Sequence, residues 1–97
     1  MKGKVFFNIS IPVNFLKEGN SFVAYTPVLD LSTSANTYEK AQKRFSEVVQ
    51  IFFEELVEMG TLDEVLSSLG WEKMDNHWNP PLPISHQVEN ISIPLPS

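Results

Sequence analysis

Ninety-seven residues, 42% of them apolar, leave room for one domain spanning residues 1–97 with a hydrophobic core of its own. The absence of cysteine excludes a disulfide scaffold, a thiolate metal site and a cysteine nucleophile. A formal net charge of −5 opposes condensation on a nucleic-acid backbone, so no direct nucleic-acid binding is expected, and it suits a basic protein partner.

In chain order, the first signal is an alternation from Lys4 to Phe15. Val5, Phe7, Ile9, Ile11, Val13 and Phe15 occupy the odd positions and mostly polar residues the even ones. That period of two predicts a long strand with one buried face, and Pro12 makes it an edge strand or places a bulge there. Lys17-Glu18-Gly19-Asn20 reads as a turn, Ser21–Thr26 as a returning strand ended by Pro27, and Leu31–Ala35 as a third strand. A long helix follows, with Asn36 or Thr37 as its N-cap and Glu39 as a capping-box partner of Asn36. Ala41, Phe45, Val48, Val49, Phe52, Leu56 and Met59 fall on one meridian, and Gly60 is placed to end the helix. Thr61-Leu62-Asp63-Glu64 has the form of a second capping box, opening a short helix through Leu69 that Gly70 closes.

Two properties of the long helix bear on function. Its apolar face widens toward the C-terminus through Val49, Phe53 and Val57, beyond what three strands can cover. Either the second helix (Val65, Leu66, Leu69) or another subunit must cover the excess. Its charges also run against the helix dipole: Lys40, Lys43 and Arg44 lie early, and Glu47, Glu54, Glu55 and Glu58 lie late. A solvated face would tolerate that small cost; an acidic docking surface would use it.

The core is expected over residues 4–71, with a Pro-rich tail over 72–97. Asp75-Asn76 between Trp71 and Trp78 suits a hairpin turn, and Asn79–Pro83 a stiff spacer packed on its own domain. Asn90-Ile91-Ser92-Ile93-Pro94-Leu95 then matches Asn8-Ile9-Ser10-Ile11-Pro12-Val13 at five of six positions. Either composition produces two similar edge strands, or the tail strand occupies an edge equivalent to the first, on the same or a neighbouring subunit. Phe53, Val57, Ile91 and Ile93 are the corresponding candidates for an oligomer interface, in a homodimer or higher homo-oligomer.

Chemistry is sparse. No serine sits in a nucleophile elbow, His77 and His86 lack the company of a metal site, and the four glycines form no phosphate loop. Asp30 stands alone near the sheet, where a two-metal nuclease needs several converging carboxylates. No catalytic or metal-binding residue, and no cofactor, is assigned. No run approaches the ~20 apolar residues of a membrane span, and the alternating start is no secretory leader. A soluble cytoplasmic protein without membrane contact is expected.

The stretch Phe22-Val23-Ala24-Tyr25-Thr26-Pro27-Val28-Leu29-Asp30-Leu31-Ser32-Thr33, followed by Thr37-Tyr38-Glu39-Lys40-Ala41 and the long helix, resembles HicB-type antitoxins. Gly60-Thr61-Leu62 and Leu69-Gly70-Trp71 look like one branch of that family, so the resemblance covers about residues 4–71. It implies an α+β fold of partial ribonuclease-H-like type, β-β-β-α-(α)-β, with a small antiparallel sheet and one long helix packed on one face. It also implies a dimer that binds and silences a small basic HicA-type RNA-cleaving toxin, or an orphan relative acting as an oligomeric scaffold or regulator. Where the family often has Gly-Asp before the helix threonine, this chain has Ala35-Asn36. The 26 residues after Trp71 are too few and too Pro-rich for a helix-turn-helix, so autorepression is not implied. Phe22, Tyr25, Asp30, Glu54, Glu55 and Glu58 are the candidate partner-binding residues. A degenerate metal-dependent nuclease, with Asp30 as its remaining carboxylate, is the third reading.

Overall fold

A computed structural model describes residues 9–75 and 77–96. The strands β1 (Asn14–Glu18), β2 (Ser21–Thr26) and β3 (Leu31–Ala35) form an antiparallel sheet in the order β1-β2-β3. The helices α1 (Tyr38–Met59) and α2 (Leu62–Ser68) follow, and β4 (Glu72–Met74) and β5 (His77–Asn79) close as a separate two-stranded hairpin. The architecture is α+β, with the long helix on one face of the small sheet.

The first hairpin turns through Gly19 and Asn20, with Glu18 opposite Ser21 and Gly19 at φ 58. Register then decides the faces. Phe15, Ala24 and Thr33 lie side by side toward α1, while Leu16, Val23 and Ser34 lie on the other face. Ala24, Ala35 and Ala41 are buried where helix and sheet meet, and their small side chains let the two backbones approach.

The ladder covers only the C-terminal end of the strand expected over residues 4–15. Residues 9–13 make no ladder, and residues 4–8 lie outside the described part of the chain. The reason is chemical: continuing the observed register past Asn14–Tyr25 would set Pro12 against Pro27, two residues without an N–H. Ile9, Ile11 and Val13 are half-buried along α1, as is Pro12, while Ser10 is exposed.

Helix α1 extends about 33 Å at 1.5 Å per residue. Thr37 is its N-cap, the hydroxyl accepting from the Lys40 backbone N–H at 3.1 Å. Asn36 therefore does not cap, and Glu39 has no box to complete. At the other end Gly60 is left-handed at φ 71; its N–H reaches the Val57 carbonyl at 3.2 Å, and that of Thr61 the Leu56 carbonyl at 2.9 Å. This closure explains why Thr61 does not cap α2 with its side chain. Held at φ −111 and ψ 11 by the end of α1, it lacks the extended backbone that an N-cap needs.

A second buried cluster unites Val28, Leu29, Leu66 and Trp71, with Val49, Phe52, Phe53, Leu62 and Leu69 packed around it. Helix α2 thus covers part of the widening apolar face, and the cover comes from within the chain. It does not cover all of it: Val57 is 64% exposed, and Met59, expected on the buried meridian, is 71% exposed. The Trp71 indole N–H donates to the Val28 carbonyl at 2.8 Å, tying the segment after α2 to the β2–β3 turn. Beyond β5, residues 80–96 form no strand within the single chain.

Candidate partner-binding surface

The six expected partner-binding residues do not form one surface. Phe22 lies on the helix side of the sheet opposite Ala35, beside the start of α1, with the Lys17 ammonium 5.9 Å from its ring centroid. Tyr25, an odd-numbered neighbour on the same strand, faces the opposite way. Its hydroxyl donates to Asp30 Oδ1 at 3.3 Å, and Asp30 itself is a turn residue at φ 51. Partial desolvation, then the charge of Asp30 and its hydrogen bond, raise the Tyr25 phenol above its ordinary pKa. Glu54 lies sixteen residues into α1, about 24 Å along the helix from its start. The alternation of a strand and the length of a helix keep these residues apart.

The late half of α1 does bring some of them together. Residues 9–15 run beside the helix, and between them lies a continuous trench. Its upper half, about 480 Å³, has Ile9, Ile11, Val13 and Phe15 on one wall and Gln42, Ser46, Val49 and Gln50 on the other. Its lower half, about 540 Å³, shares Ile9, Val49 and Gln50 and continues to Phe53, Glu54, Val57 and Glu58. Helical spacing explains the acidic rim: Gln50, Glu54 and Glu58 follow at intervals of four, one turn apart, beside the Val49–Phe53–Val57 stripe. Glu55 points elsewhere and does not line the trench. Among the described residues the one ion pair joins Lys73 to Asp63 at 3.4 Å and involves none of these glutamates. Among the described residues no cation pairs with Glu54 or Glu58.

Of the expected interface residues, Phe53 is half-buried and meets Phe52 and Trp71 edge-to-face, at 5.5 and 6.3 Å between centroids. It serves the core as well as the trench. Ile91 and Ile93 are 73% and 74% exposed in the tail. Residue-type reasoning missed Ile9, Ile11 and Gln50 as part of this surface. Their signal was present in the strand alternation and the helical repeat, but only the fold sets the two side by side.

Among the described residues, no group of three or more His, Asp or Glu could hold a metal ion, and no helix is long and apolar enough to cross a membrane. No protein-family model, curated protein or solved structure matches this chain.

Proposed function

We propose that this chain is a non-enzymatic, cytoplasmic binding protein of HicB-like antitoxin type, which neutralises a small basic RNA-cleaving toxin of the HicA kind. The observation that carries the reading is the acidic rim over an apolar floor: Glu54 and Glu58 flank Val57 on the exposed half of α1. Apolar contact supplies affinity there, and the two carboxylates select a cationic partner and speed its approach. The β-β-β-α order and the resemblance of residues 22–41 support the same assignment. The exposed apolar alternation of the tail favours a second reading, an oligomeric scaffold or regulator of the same fold with no toxin.

A tagged pull-down from the native locus, with the flanking reading frames intact, separates the two. The antitoxin reading expects one small basic protein in fixed ratio, toxic when expressed alone. With that partner in hand, the double reversal Glu54→Lys/Glu58→Lys should weaken binding at least about tenfold, or ~1.4 kcal/mol. Glu55→Lys, off the trench, should change it far less. Equal effects from both variants would remove the trench from the interface.

A further inference from the structure

We infer that the upper half of the trench receives the C-terminal tail of a second copy of this chain, Ile91-Ser92-Ile93-Pro94-Leu95, added antiparallel to residues 9–13 as an exchanged edge strand.

The backbone makes the edge available. A two-residue hairpin loop makes Glu18–Ser21 a hydrogen-bonded pair, so Leu16 and Asn14 also turn their amide groups toward β2, and an extended chain carried on past Asn14 turns Pro12 the same way. Phe15 turns its own outward, to the open side of the sheet, and the same continuation turns those of Val13, Ile11 and Ile9 outward as well. The missing N–H of Pro12 therefore falls on the inner side, and the outer edge keeps a complete set of donors and acceptors. The same residues carry the side chains that line the trench.

The tail has the matching construction. Ile91, Ile93 and Leu95 share one edge, and Pro94 falls on the other, so its proline-free edge is again the apolar one. Antiparallel pairing brings the two intact edges together with the apolar side chains of both strands over α1; parallel pairing would turn them to opposite faces. The near-identity of the two segments is then an interlocking, each strand presenting the other's chemistry. Gln42, Ser46 and Gln50 give this half of the trench an uncharged wall, suited to a tail segment with no charge from Asn90 to Pro96.

Area points to a second copy. Ile84, Val88, Ile91, Ile93 and Leu95 are 73–97% exposed, so the tail lies off its own domain. These side chains leave apolar surface of the kind that a standard interface buries, ~800 Å² per partner. Pro81, Leu82 and Pro83 pass beside Pro12 and Pro27, so each tail departs close to the edge its partner's tail would enter, and two reciprocal exchanges close a two-fold dimer.

The test uses the full chain alone and is independent of any toxin. Light scattering should give about 22 kDa for the wild type, twice the 11.0 kDa of one chain. Ile91→Asp/Ile93→Asp should give a monomer with an unchanged far-UV circular dichroism spectrum, since neither side chain touches the core. Amide exchange at Ile11 and Ile93 should be slow in the wild type and fast in the variant. A dimeric variant would overturn the proposal, as would a monomeric wild type with fast exchange. A monomeric wild type with slow Ile93 exchange would overturn it too, by placing the tail on its own edge.

Discussion

Replacing Trp71 by Phe should destabilise the domain by about 2–4 kcal/mol. Trp71 is 3% exposed, and its indole N–H donates to the Val28 carbonyl at 2.8 Å in a buried setting. Phenylalanine keeps most of the apolar contact with Phe53 and Leu66 but leaves that carbonyl without its donor, a loss of ~1–3 kcal/mol. The smaller ring leaves a void of about 40 Å³, which adds about 1 kcal/mol at ~24 cal/mol per Å³. For a domain of this length, each kcal/mol lowers Tm by ~4–8 °C, so a fall of about 10–30 °C is expected. Thermal and urea unfolding followed at 222 nm would measure it without relying on the remaining Trp78. A fall below about 4 °C would show that the tie between the β2–β3 turn and the segment after α2 contributes little, and the clustering argument for the lower core would fail with it.

Two further substitutions test the sheet. The hydroxyl of Thr26 is fully buried with no hydrogen-bond partner, so Thr26→Val should raise stability by ~1 kcal/mol, and destabilisation in urea melts would reveal a partner for that oxygen. Tyr25 should ionise above the usual tyrosine range, and Asp30→Asn should bring its ultraviolet titration down toward pH 10. Because the folded pKa is the raised one, stability is unaffected well below pH 10 and falls as pH climbs through the folded value, where the phenolate meets first its desolvation and then the charge of Asp30. A titration unmoved by Asp30→Asn would leave desolvation as the sole cause of the shift.

The elements whose signals are local were legible in the sequence. β2, β3 and α1 stand within a residue or so of their expected ends, because Pro27 and Gly60 act through their own backbones and Thr37 through a hydroxyl that reaches only three residues on. The failures arise where two elements share residues. Thr61 could not serve both α1 and α2, and the first strand lost its ladder when Pro12 met Pro27 across the sheet, a coincidence that no window along the chain contains. The candidate surface was legible in halves: helical spacing supplied Glu54 and Glu58, and alternation supplied Ile9 and Ile11. Phe22 and Tyr25, three apart in the sequence, were separated by the two faces of the sheet.

The bond from Trp71 to Val28 spans 43 positions, and that span sets an order of events during synthesis. The hairpins and α1 depend on neighbours in the chain and can form as soon as they emerge, since local contacts close quickly. The lower core cannot, because Leu66 and Trp71 are made after α1. At roughly 5–20 residues per second, the late half of α1 waits about a second or more with its aromatic stripe uncovered. In that interval Phe52 and Phe53 stay uncovered, until Leu66 and Trp71 arrive to pack against them.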